Sequence, residues 1–201
     1  MARSMRAIAA IAGAAALVLG LAACGTPPWE QSGGSGGGAT PSAAPSKIVV
    51  VHNDLQSGST KRTLQAGDIK LDVSYFSTLD IGQWYATADK PLSLSASATL
   101  GTDQGQAVYL NKVTVSTTVQ GPGGALATPA VLTDQSSVPP GYFVKTPYSY
   151  SQTFVIPPLD KRATSATLSI VYELLLQTTP EASTYSKQTA SDTITVTFPK
   201  R

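Results

Sequence analysis

Cysteine and histidine are almost missing from this chain: Cys24 and His52 are the only ones in 201 residues. A single cysteine excludes an intramolecular disulfide, so stability must come from an ordinary core. A zinc centre draws about four ligands from cysteine, histidine and carboxylates, and one histidine leaves too few to expect a metal. A Ser-His-Asp triad would have to be built on His52. That residue ends an apolar run beside Asn53 and Asp54, where a polar strand end is the simpler reading. No Ser-x-x-Lys run occurs, which removes the usual signature of penicillin-binding enzymes. No glycine-rich loop leads into a helical pattern to hold a phosphate, so no cofactor is expected.

Charge is scarce too. Charged residues make up 13% of the chain, against about a quarter in ordinary domains. Ser, Thr and Gln carry the polar faces instead, as they do on exposed strand surfaces. The formal net charge is +2, from 14 basic and 12 acidic residues. Arg3 and Arg6 account for that excess, so everything after the first 23 residues is formally neutral. Neutrality argues against a nucleic-acid partner, whose phosphates call for a basic surface. It also argues against a polybasic grip on lipid headgroups.

The one cysteine stands in a telling place. Arg3 and Arg6 form a positive start, and Ala7 to Leu21 carries no charge. That run is shorter than the about 20 residues a bilayer span needs, and small residues follow it, as in a cleaved secretory signal. The sequence Leu21-Ala22-Ala23-Cys24 resembles the lipobox of bacterial lipoproteins. The resemblance covers residues 1–23 and Cys24 alone. It implies a diacylglyceryl group on the Cys24 sulfur, cleavage before Cys24, and a protein held on the extracytoplasmic face of the cell membrane. Two acyl chains hold a membrane stably where one does so marginally.

Residues 24–46 are dominated by Gly, Ser, Ala and Pro and read as a flexible tether with a reach of about 26 Å. Gly33-Gly34-Ser35-Gly36-Gly37 fits the nucleophile-elbow pattern by composition only, since neither flank makes the required strand or helix. The alanine-rich signal and Gly/Pro-rich tether look like those of actinobacterial lipoproteins.

From Lys47 to Arg201 the pattern has period two. Strands are expected at 47–52, 69–76, 92–100, 107–120, 152–156, 166–177 and 192–198. In 107–120 the apolar phase changes, from even-numbered Val108 and Leu110 to odd-numbered Val113, Val115 and Val119. A continuous strand would turn one set outward, so the sequence predicts a bulge near Asn111-Lys112. Gly121-Pro122-Gly123-Gly124 predicts a turn. For 166–177 a helix is the alternative, but clean alternation favours a strand. The sum is an all-β domain, an antiparallel β-sandwich of about seven to nine strands. It resembles the immunoglobulin-like architecture, without the Cys-Trp-Cys signature.

Aromatic residues are few, at 7% of the chain, yet Tyr142, Phe143, Tyr148 and Tyr150 crowd into one proline-spotted stretch. Tyrosines suit recognition because each offers area and a hydroxyl at small entropic cost. These four, with Trp84 as a second candidate, are the expected binding residues; the competing reading makes them plugs for the end of the core. The functional expectation is a non-catalytic, membrane-anchored binding module with an envelope protein or glycan as partner. One alternative is a carrier or sensor of an apolar ligand, with a cavity lined by Leu168, Ile170 and Tyr172. Another is a carboxylate-based glycan hydrolase, which needs two acids in one cleft at roughly 5–10 Å. The aspartates fall mostly in turns, where they cap backbone amides.

Overall fold

The computed structural model describes residues 51–200. The signal, Cys24, the tether and most of the run expected as a first strand lie outside the described residues. Among the described residues ten strands form two antiparallel sheets. The first has the order β1-β2-β3-β8, with β1 Ser59–Ala66, β2 Ile69–Phe76, β3 Lys90–Leu100 and β8 Tyr150–Ile156. The second runs β10-β9-β4, with β4 Val108–Gly121, β9 Ser165–Gln177 and β10 Tyr185–Thr197. Three short strands share the remaining edge of β4: β5 Gly124–Leu126, β6 Leu132–Gln135 and β7 Tyr142–Phe143. These three carry the count past the expected seven to nine. The chain is an all-β sandwich.

Alternation explains the layers. In β2, Ile69, Leu71, Val73 and Tyr75 are buried while Lys70 and Asp72 face water. In β9 the buried set is Ala166, Leu168, Ile170, Tyr172 and Leu174, so the segment is a strand and not a helix. Burying a Leu or Ile side chain contributes about 1.5–3 kcal/mol, and both sheets supply such residues to one core. At its middle the Tyr172 hydroxyl donates to the Tyr75 hydroxyl at 2.9 Å, one tyrosine from each sheet.

The predicted bulge lies between Leu110 and Lys112, where the β4–β9 register shifts. Val108 and Leu110 before it, and Val113, Val115 and Val119 after it, are all buried. The bulge residue Asn111 also holds the neighbouring loop, donating to the Pro140 carbonyl at 3.1 Å and accepting from the Ser136 amide at 3.0 Å.

Two expectations are corrected. Val51 and His52, the described end of the run 47–52, are exposed and outside any strand, and the first strand among the described residues is Ser59–Ala66. Trp84 is fully buried behind the 3-10 turn Ile81–Gln83, with its Nε1 donating to Ser77 Oγ at 3.0 Å. Its large ring belongs to the core and cannot meet a partner.

The register defines two ends. Thr197 pairs with Ser165, Lys90 with Ile156 and Ser59 with Phe76 at one end. Here the chain also enters, with the Asp54 amide donating to the Thr195 carbonyl at 2.8 Å. At the other end Tyr185 pairs with Gln177, Val108 with Leu176 and Ile69 with Leu100. The 13 residues of β9 separate these ends by about 40 Å at about 3.3 Å per residue.

Candidate functional site

The aromatic stretch lies at the end away from the chain entry, and alternation splits it in two. Phe143 pairs with Tyr109 and Tyr142 with Leu110. Directly paired residues share a face, so Phe143 stands on the outer face of the second sheet with Tyr109. Tyr142 turns instead toward the inter-sheet side, beside Tyr150.

On the outer face four rings form a row. The Tyr148 ring lies 4.9 Å from Phe143, Phe143 lies 5.5 Å from Tyr109, and Tyr109 lies 5.8 Å from Tyr185. The rings meet at interplanar angles of 57°, 55° and 84°. Tyr148 is 59% exposed and Phe143 38% exposed, while Tyr109 and Tyr185 are half-buried. Leu175 is paired directly with Tyr109 and extends the apolar surface. The next row is charged: Glu173 accepts from Lys112 at 2.5 Å and from Lys187, and the two lysines hold its carboxyl below the usual range. An apolar strip with a polar border is the anatomy of a docking surface.

The other half behaves differently. Tyr150 is buried, and its hydroxyl donates to Asp134 Oδ2 at 2.7 Å. Burial first, and the Asp134 carboxylate second, push its pKa upward. Tyr142 lies over it with ring centroids 5.2 Å apart. Tyr150 is therefore a core plug, as the competing reading held for one or two of the tyrosines, whereas Phe143 is exposed. Asp134, Tyr142, Tyr150 and Gln152 line a shallow concavity of about 390 Å³. Tyr109 and Tyr185 were missed as site residues, because they come from strands distant in sequence and stand next to Phe143 only through strand register.

Gly141 permits this arrangement. A Cβ there would lie 2.6 Å from the Leu110 carbonyl oxygen and 3.3 Å from Asn111 Cα. Only a residue without a side chain lets the segment before β7 approach the bulge so closely.

The residues considered for other chemistry are engaged elsewhere. His52 is 81% exposed and 3.7 Å from Asp54 Oδ1; Asp54 itself receives Arg62 at 2.8 Å and the Thr195 amide at 2.7 Å. Asp103 is paired with Lys145, Asp160 with Arg162, and Asp68 and Asp80 accept from the backbone amides of Thr102 and Gly82. Leu168, Ile170 and Tyr172 are fully buried in the core. Among the described residues no group of three His, Cys, Asp or Glu could hold a metal, and no helix is long and apolar enough to cross a membrane. No family model matches the chain, and no curated protein matches it in sequence.

Proposed function

We propose that this protein is a non-catalytic interaction module of the cell envelope, anchored by lipid on Cys24 and recognising a protein partner through the strip Tyr148–Phe143–Tyr109–Tyr185. We read its sandwich as immunoglobulin-like on the two-sheet arrangement alone. The single observation that carries the reading is the row of four rings at the end opposite the chain entry. Anchoring raises the local concentration of the domain, so that a modest interface suffices.

The ring geometry favours protein over glycan. A sugar chain stacks its faces on aromatic rings that lie parallel to it. Here successive rings are tilted by 55° to 84°, which gives an uneven surface of edges, faces and hydroxyls. Such surfaces suit the side chains of a protein, where Tyr and Phe dominate interface cores. The pairing of Asp54, Asp103 and Asp160 with cations supports a non-catalytic role, and neither alternative has a specific observation in its favour.

The test is photo-crosslinking in living cells from a probe placed at Tyr148, compared with Phe143→Ser and with Cys24→Ser. The expected result is one envelope protein, reduced by both substitutions. Undiminished capture by Phe143→Ser would sink the strip as the site, and recovery of glycan alone would sink the protein partner.

A further inference from the structure

The end at which the chain enters carries a second concavity, of about 410 Å³. Its cations are Lys161, Arg162 and Lys200, and Tyr85, Ala86 and Phe198 form part of its wall. The basic residues come from two separated places, the β8–β9 connection and the segment after β10. Basic side chains from distant parts of the sequence thus meet at one pocket. Arg162 is held by Asp160, through Nε at 3.0 Å and Nη2 at 2.6 Å, so that carboxylate offsets one of the three charges. Lys161 and Lys200 are exposed and, among the described residues, belong to no ion pair. Beneath the pocket lies a fourth cation: Lys90 Nζ sits 5.6 Å from the centroid of the Phe198 ring that lines it. The site therefore pairs an apolar wall with the exposed ammonium groups of Lys161, which lies within the field of Asp160, and of Lys200 at its rim.

We propose that this pocket takes the phosphate-bearing headgroup of an anionic membrane lipid, with Lys161 and Lys200 as its principal contacts. The choice of a lipid over a soluble phosphate ester rests on the anchored reading above, in which lipid on Cys24 keeps the protein close to a membrane. An apolar wall next to cations also matches a ligand that is charged at its head and apolar just below. Bound there, a headgroup would orient the domain on the membrane and hold the aromatic strip away from it.

The experiment uses the processed protein, residues 24–201, with Cys24→Ser so that no acyl chain contributes. It is sedimented with phosphatidylcholine vesicles, with and without phosphatidylglycerol. The expected result is association with the anionic vesicles only, weakened by salt. Each of Lys161→Ala and Lys200→Ala should weaken it about fivefold, since a basic residue near an anionic leaflet contributes about 1 kcal/mol. Equal association by the double variant, or equal association with neutral vesicles, overturns the proposal. Binding of soluble glycerol phosphate without vesicle association overturns the lipid as the source. Phe143→Ser should leave vesicle binding unchanged, which separates failure here from failure of the strip. The mass of Cys24 in the native protein tests the anchor by itself.

Discussion

The hydroxyls of Tyr75 and Tyr172 meet at 2.9 Å, each from a different sheet, in a core where both side chains are fully buried. Tyr172 donates and Tyr75 accepts. Asp192 lies close enough to Tyr75 to push the pKa of that tyrosine up further, after burial and Tyr172. Tyr75→Phe removes the acceptor and leaves a buried hydroxyl without a partner, a loss of about 1–3 kcal/mol. The double change Tyr75→Phe with Tyr172→Phe removes both hydroxyls and should cost less than the two single changes added together. Urea denaturation of the three variants measures this coupling.

A second prediction concerns alkaline stability. Lys90 is fully buried, its Nζ donating to the carbonyls of Ala86, Ala88 and Pro157 at 3.1, 2.5 and 3.0 Å. Burial lowers its pKa to about 8, against a partial opposing pull from Asp89. Because the folded pKa is depressed, the unfolded chain binds more protons between about pH 8 and 10.5, and stability rises across that window. Tyr75, Tyr150 and Tyr172 have raised folded pKa values. Their contribution is complete below about pH 10 and is lost as pH rises further. Stability should therefore pass through a maximum near pH 10. Lys90→Met should abolish the rising limb and keep the falling one, as read from melting temperature against pH.

The aromatic strip separates binding from folding. Tyr148 is 59% exposed, so Tyr148→Ala should change stability by less than about 0.5 kcal/mol while reducing capture of the partner. Gly141→Ala should do the reverse first. Its Cβ would overlap the Leu110 carbonyl, and overpacking of this kind costs about 1–3 kcal/mol. Displacement of β7 should then carry Phe143 out of the row. Calorimetry, and the cross-linking assay with its probe moved to Tyr185, together distinguish the two variants.

Trp84 gives a prediction opposite in kind. Its indole is fully buried and bonded to Ser77, so Trp84→Ala should lose about 3–5 kcal/mol. Partner capture by the remaining folded protein should not change. A Trp84 variant that folds normally and fails to bind would place the indole in the recognition site after all.

Most of the fold could be read from side-chain alternation. It placed β2, β3, β4, β8 and β9, and the phase change in β4 located the bulge. Where alternation is weak, the elements escaped notice. β1 is an edge strand in which only Ala66 is buried, so Ser59 to Gln65 shows no apolar face. The first half of β10, Tyr185 to Ser191, offers Ala190 alone to the core. Apolar content misled at Val51, which is exposed and unpaired, and aromatic content misled at Trp84. The candidate site was legible as a stretch but not as a surface. Local sequence names Phe143 and Tyr148, whereas Tyr109 and Tyr185 reach them through pairing between distant strands. The basic pocket was invisible for the same reason, since a formal total of +2 does not say where the charges gather.

The bulge at Asn111 makes β4 two half-strands of opposite parity on a common axis. Flattening the bulge with every residue kept would impose one alternation and reflect one half through the plane of the sheet. Tyr109 would then point inward and Val108 and Leu110 outward, exchanging an aromatic landing surface for an aliphatic one. Deleting Asn111 would instead join the halves in one regular alternation, with Val108, Leu110 and Val113 all still inward. Asn111 is thus a phase corrector: it absorbs the odd spacing between Leu110 and Val113, and the outer face at the far end keeps its aromatic chemistry because of it.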